Sequence, residues 1–358
     1  MISPIRAEVS AAALRHNLAR IRQVAPASRI MAVVKANAYG HGLVDTARCL
    51  AGADAFGVAR LSEALALRIS GVQQPIVLLE GVFETGQLAD AAGQDLDVVV
   101  HCEEQLVQLE QASLDRPLAV WLKIDSGMNR LGFRPEQVPG VLARLAAQRE
   151  RLRDLRLMTH FASSDEIDNP ATLRQQECFE RLVGALPWQR SLCNSAGLFN
   201  LPAAQADWVR PGLALYGVSP FPEVLGSQLG LRPAMRLVST VIAVRRVLQG
   251  ECVGYGGLWR ADRDTRVAIV AAGYGDGLPR LLPFGTPVLL RGRRAGIVGR
   301  VSMDMLAVDV GNLPDVMVGD AAVLWGPELP VEEIAAHAGT IPYELLCGVS
   351  QRVPLALV

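Results

Sequence analysis

Up to about residue 215 the chain alternates short, unbroken apolar runs with longer stretches whose apolar residues recur at helical spacing. The runs Ile30–Val34, Ala55–Ala59, Pro75–Glu80, Asp97–Val100, Ala119–Asp125, Leu157–Phe161, Ser191–Asn194 and Trp208–Arg210 read as strands, the first of them unbroken as a strand buried on both faces should be. Between them lie Leu/Ala/Arg-rich helical patterns, as in 61–68 and 141–145. Eight strand–helix units in succession predict an α/β fold, a (β/α)8 TIM-type barrel over residues 1–230. A doubly wound sheet is the alternative, but no Gly-x-Gly-x-x-Gly turn opens a helix to favour its dinucleotide-binding form. From Leu231 onward the apolar segments shorten and are divided by Gly, Pro and Asp, and Val331–Ala338 alone keeps a helical period. Residues 231–358 therefore read as a mainly β domain, with Gly217–Pro233 as the connection and the first few residues of the chain free to pair with it.

Composition narrows the class. Half of the 358 residues are hydrophobic and 20% are charged, enough apolar material for a large core and too little charge for disorder. A net charge of -1 gives no electrostatic reason to expect nucleic acid or anionic membrane as a partner. The six cysteines are scattered without a Cys-x-x-Cys pair, which argues against a zinc site or a disulfide framework. The opening residues lack the apolar core of a signal peptide, and no 18 apolar residues run together. The expectation is a cytoplasmic globular protein without a metal.

Lys35 ends the run Ile30–Val34 and is followed by Ala36-Asn37-Ala38-Tyr39-Gly40-His41-Gly42. A charged residue there is costly unless paired, exposed or used. It is either a lysine snorkelling from a strand end or a Schiff-base nucleophile with a ligand drawn close by the glycines. Barrel active sites lie at the carboxyl ends of the strands. Other polar residues gather at those positions: Lys123 and Asp125 with Arg130 beyond them, His160, Asn194-Ser195, and Arg210-Pro211-Gly212. Singly, His160 reads as a core histidine, Arg210 as an ion-pair residue and Asn194-Ser195 as a helix N-cap. Jointly they supply a lysine, a phosphate-sized nest and arginines without paired carboxylates, which points to pyridoxal phosphate rather than hydrolysis.

The segments Val34–Gly42, Lys123–Gly132, Asn194-Ser195, Val209–Gly212, Val253–Gly257, Gly273–Gly277, Arg300–Asp304 and Ile341–Glu344 resemble, in order, those of the pyridoxal-phosphate-dependent alanine racemases. The resemblance spans nearly the whole chain. It implies a barrel plus β domain, a homodimer with shared active sites, L- and D-alanine as substrates, and D-alanine supply for peptidoglycan or D-alanine catabolism as the role. It implies that Lys35 carries the cofactor and acts as one base, with Tyr255, from the partner subunit, as the other. Tyr39, Ser195, Gly212 and Tyr343 match phosphate-binding positions, Arg210 the arginine at the pyridine nitrogen, and His160 the group orienting it. Arg130 matches the residue at the phenolic oxygen, and Lys123 a position often carbamylated in the family. Met303 and Asp304 match the substrate-carboxylate side, and Tyr274 the entrance. Ser302 stands where many relatives have cysteine and Gly275 where many have alanine.

Two bases on opposite faces can remove a proton from one side of a carbon and return it to the other. A free tyrosine titrates near ~10, so the site must favour its phenolate. An arginine cannot hand a proton to the pyridine nitrogen, which keeps transamination rare. Of the neighbouring classes, decarboxylases of this barrel type carry a Cys-Glu-Ser-Gly-Asp-like segment, absent here. Non-enzymatic pyridoxal-phosphate homeostasis proteins resemble the barrel alone, and broad-specificity racemases are usually exported.

Overall fold

A computed structural model describes residues 4–358, so part of the opening segment expected to pair with the second domain, residues 1–3, lies outside the described residues. The chain runs β1 (Arg6–Val9), α1 (Ala11–Val24), β2 (Arg29–Val33), α2 (Lys35–Tyr39), α3 (Leu43–Cys49), β3 (Ala55–Val58) and α4 (Leu61–Ile69). It continues with β4 (Ile76–Leu78), α5 (Gly86–Gly93), β5 (Leu96–Val100), α6 (Glu103–Gln111), β6 (Leu118–Lys123), α7 (Val138–Ala147) and β7 (Leu152–Met158). Then follow α8 (Pro170–Val183), β8 (Arg190–Ser191), α9 (Ser195–Asn200) and β9 (Trp208–Val209). Strands β2 to β9 close into a parallel barrel in sequence order.

Each barrel strand falls within or beside a run singled out above, with ends shifted by a few residues. The largest difference is at the start of β7, which begins at Leu152 and not Leu157 because Arg153, Asp154 and Arg156 break the apolar run; elsewhere an apolar run passes into the loop beyond the last ladder bond. The strand before His160 stops at Met158, for example, and the one before Asp125 stops at Lys123. Strands β5 and β6 are buried at every position, so one side chain in two meets the helices and the next fills the barrel. The inward set includes Met31, Val77, Val99, Trp121, Met158 and Trp208. Asp97 seals the amino-terminal end: it accepts from Trp121 Nε1 at 3.2 Å and Arg156 at 2.8 Å, and Arg156 lies over the Trp121 ring at 5.2 Å. The barrel is thus filled below and open at the carboxyl ends of its strands. Helix α1 lies against Leu213–Tyr216, where Asn17 donates to Leu215 and exchanges bonds with Arg232.

The second sheet holds β10 (Met235–Val247), β13 (Thr265–Val270), β14 (Pro287–Leu290), β15 (Arg293–Val298), β16 (Leu306–Asp309), β17 (Ala321–Trp325) and β18 (Leu355–Leu357). The small hairpin of β11 (Cys252–Val253) and β12 (Trp259–Arg260) packs on it, with Val253 and Trp259 against Val267, Val298 and Ala307. The long β10 pairs with β17 through Leu237–Thr240 and with β13 through Val241–Val247, across a bulge between Val241 and Ala243, which closes the six strands β10 and β13–β17 into a ring. β1 adds to β10 antiparallel and β18 adds to β1 parallel, so both ends of the described chain join this sheet. Helix α10 (Val331–Ala338) occupies the segment the periodicity marks. Helix α11 (Pro342–Gly348) does not show in the pattern, being seven residues long with two buried apolar positions, too short for the period to declare itself.

Candidate active site

The strand ends carry the candidate residues to one place. Lys35 comes two residues after β2, Lys123 closes β6, His160 lies two residues past β7, Ser195 opens α9, and Arg210 directly follows β9. With Tyr39, Arg130, Gly212 and Tyr343 they line a single cavity of about 630 Å³ at the barrel mouth. Tyr343 arrives on α11, from the sequence of the second domain, and its ring lies 5.8 Å from that of Tyr39.

One end of the cavity is a nest of small groups. The Ser195 hydroxyl accepts the N–H of Gly212 at 2.9 Å and of Ala214 at 3.3 Å. A β-carbon at 212 would overlap the Tyr39 hydroxyl, so only glycine fits beneath it. Tyr39 stacks on Tyr216 with centroids 4.8 Å apart, and burial holds its phenol far above the ordinary value, leaving a neutral hydroxyl that can donate. Asn194 caps α9, accepting from Gly197 and Ser164, as the structural reading of that residue expects.

Arg210 is 5% exposed and meets no carboxylate among the described residues. Its guanidinium donates to the Ser191 hydroxyl, the Thr159 carbonyl at 2.6 Å, the Leu192 carbonyl at 3.2 Å and His160 Nδ1 at 3.4 Å. Burial brings it down to about 10, which still leaves it charged at neutral pH. Burial, then the charge of Arg210, pushes His160 well below its ordinary value, so the imidazole is neutral and accepts at Nδ1. Ser191 and Thr159, which the sequence reading did not assign, complete this arrangement. No local signal marks Ser191, which stands beside Arg190 in a two-residue strand and gains its partner only when β8 and β9 pair.

Lys35 is followed by an unusual turn. Ala36, Asn37, Ala38 and Tyr39 all have φ between 52° and 55°, a left-handed turn without glycine. At about 1–2 kcal/mol per residue such a turn costs roughly 4–8 kcal/mol, so its surroundings must over-determine it. Asn37 Oδ1 accepts from Leu43 N, His41 Nδ1 bonds the carbonyls of Ala38 and Tyr39, and Glu63 Oε1 accepts from Ala36 N at 2.7 Å. Gly40 then passes so close to the Leu346 carbonyl that a β-carbon would overlap it.

Lys123 is 8% exposed and brought down to about 8, by burial first and then by Arg210, Arg130 and Lys35. Lys35 and Lys123 are the only lysines of the chain, beside 33 arginines. Every lysine side chain therefore opens into this cavity.

The structure does not bring every candidate here. Tyr255, Tyr274, Met303 and Asp304 lie outside the cavity, on the second domain, with Tyr255 67% exposed. Asp304 is held by Arg352, which also bonds the buried Asp276. Among the described residues no cluster of His, Cys, Asp or Glu could hold a metal ion, and no helix is long and apolar enough to cross a membrane.

Residues 9–220 match the alanine racemase N-terminal domain family and residues 234–357 the alanine racemase C-terminal domain family. The chain is 55% identical to the alanine racemases of Shewanella piezotolerans, over 98% of both chains, and Vibrio cholerae, over 98% of this chain and 97% of that one. The crystal structure of the biosynthetic alanine racemase from Pseudomonas aeruginosa superposes with a TM-score of 0.97 at 47% identity, covering 100% of both chains. The alanine racemase from Acinetobacter baumannii does so with a TM-score of 0.94 at 39% identity, also covering 100% of both.

Proposed function

The chain belongs to the alanine racemase family, and on that premise we propose that it interconverts L- and D-alanine with pyridoxal phosphate at the barrel mouth. The observation that carries the reading is Arg210, a buried guanidinium whose partners are hydroxyl, carbonyl and imidazole groups and none a carboxylate.

The residues present fit the cofactor. The nest beneath Tyr39, which a β-carbon at 212 would fill, is suited to a phosphate, with Ser195, Gly212, Tyr39 and Tyr343 as its holders. Lys35 would hold the cofactor covalently, Arg210 would hold the pyridine-nitrogen end with His160 steadying it, and Arg130 would face the phenolic oxygen. When bound, pyridoxal phosphate supplies an electron-withdrawing ring that acidifies the α-C–H of the amino acid.

The chain's own residues do the rest. Lys35 Nζ moves the α-proton on one face. The Tyr255 hydroxyl moves it on the other, and Met303, Asp304 and Tyr274 shape the substrate side and the entrance. In support of a homodimer, these four residues lie outside the cavity of their own chain, and Tyr255 stands exposed in the turn between β11 and β12. A head-to-tail pair of chains would then join the barrel of one, residues 1–230, to residues 231–358 of the other. Arg210, with its charge fixed by its pKa, gives no proton to the ring nitrogen. A lysine held at about 8 is about one-tenth neutral amine at pH ~7, far more than an ordinary lysine, and that is the form that adds carbon dioxide, so Lys123 is suited to carbamylation. All six cysteines are free thiols, which supports a cytoplasmic location.

Purified holoenzyme given L-alanine or D-alanine alone should bring the optical rotation to zero without releasing carbon dioxide. Release of carbon dioxide, or a persistent rotation, overturns the reading. Turnover of serine and larger amino acids in the same assay sets the substrate breadth. D-alanine supply for peptidoglycan and D-alanine catabolism are both consistent with the site.

A further inference from the structure

Glu63 lies on α4 and takes no part in the roles above, yet both its carboxylate oxygens are engaged by backbone. Oε1 accepts the N–H of Ala36 at 2.7 Å, while Oε2 accepts those of Ala59 at 2.9 Å and Arg60 at 3.1 Å. Among the described residues it forms no ion pair. We propose that Glu63 is a positioning residue that fixes the direction of the Lys35 amine by clamping the peptide that follows it.

The geometry gives the reason. The Ala36 N–H belongs to the peptide that begins at the Lys35 carbonyl carbon, so holding it sets the backbone dihedral of Lys35. The residue before is anchored too, with Val34 N donating to Gly57 O at 2.9 Å. Both anchors land on the same neighbouring βα unit, β3 and α4, so Lys35 is held from either side by one rigid element. The other supports of the left-handed turn act farther along: Asn37 on Leu43, and His41 on Ala38 and Tyr39. Of these side chains only Glu63 reaches the Lys35–Ala36 peptide.

A carboxylate is the group this position requires, because it accepts at both ends. In Glu63→Gln one oxygen becomes NH₂, and however the amide turns, either Ala36 N–H or the Ala59/Arg60 pair faces a donor. Side-chain shape and most of the packing are kept.

The inference rests on the reading of Lys35 as the cofactor lysine, and the test separates the two. Borohydride reduction and peptide mapping of the wild-type holoenzyme should fix the pyridoxyl group on Lys35; if it does not, that reading falls and the clamp with it. With that established, Glu63→Gln and Glu63→Ala holoenzymes are treated with hydroxylamine and the release of cofactor is followed by its visible absorption. The loss of a hydrogen bond to a charged group should make release about ten- to a hundredfold faster. The pH at which the visible absorption changes, which reports the proton on the Lys35 nitrogen, should also shift from the wild-type value. Release and spectrum unchanged in both variants, with only the melting temperature lowered, would make Glu63 a cap of α4 and overturn the proposal. Should Glu63→Ala fail to fold, Glu63→Gln alone decides.

Discussion

Gly212 lies directly beneath the hydroxyl of Tyr39, close enough that a β-carbon at 212 would overlap it. The same glycine gives its N–H to the Ser195 hydroxyl, so one residue sets both the floor of the nest and the position of that hydroxyl.

Gly212→Ala should therefore weaken cofactor retention while leaving the fold in place. Overpacking of this kind costs about 1–3 kcal/mol, which corresponds to roughly five- to a hundred-and-fiftyfold in affinity. Equilibrium dialysis of the cofactor is the measurement. Measured against Tyr39→Phe alone, which loses a phosphate donor, the Gly212→Ala change should cost less than it does in the wild type, and an equal cost in both backgrounds would show that the crowding lies elsewhere.

Arg210→Glu should slow racemisation and raise the transamination side reaction, since a carboxyl group can share a proton with the ring nitrogen where a guanidinium does not. It also removes the donors to the Thr159 and Leu192 carbonyls, at about 1–3 kcal/mol for each buried acceptor left unpaired. Arg210→Lys, which keeps a positive charge, is the control for that loss of stability. The ratio of pyruvate formed to alanine racemised is the readout, and an unchanged ratio in Arg210→Glu would leave the arginine a purely structural role.

Lys123 makes stability depend on pH. Its value falls from an ordinary 10.5 to about 8 on folding, so folding releases protons between those values and stability rises with pH across the window. Below pH 8 the buried charge costs up to about 3 kcal/mol. In bicarbonate-free buffer Lys123→Met should be the more stable chain at pH 7, and its advantage should shrink by about half by pH ~9.5. Urea unfolding at the two pH values measures this. An advantage that stays constant would mean that Lys123 is not buried as a charge.

Lys35→Ala and Tyr255→Ala should each be inactive, and the mixture should not. With a site shared across a dimer, a heterodimer of the two variants has one site with both lesions and one with neither. Up to half the wild-type activity per heterodimer should then return once subunits exchange. Were both residues supplied by the same chain, every site would carry one lesion. No recovery after exchange has been demonstrated would refute the shared site and leave the racemase reading standing.

Much of the barrel was legible because its signal is local. An apolar run buried on both faces looks the same whatever surrounds it, and the residues just past such a run, Lys35, Lys123, His160 and Arg210, inherit their place from it. Strand ends were less legible, because a ladder stops where its neighbour stops, as with β7 at Met158. Tertiary structure decided what depends on residues far apart in the chain. Helix α11 brings Tyr343 over the barrel mouth, and Glu63 meets the peptide after Lys35. It also decided the left-handed turn Ala36–Tyr39, since four non-glycine residues each disfavour that conformation and no local pattern announces it. Periodicity records which way a side chain faces within its own element; only the closed barrel brings together the carbonyls, hydroxyls and carboxylate that hold such a turn in place.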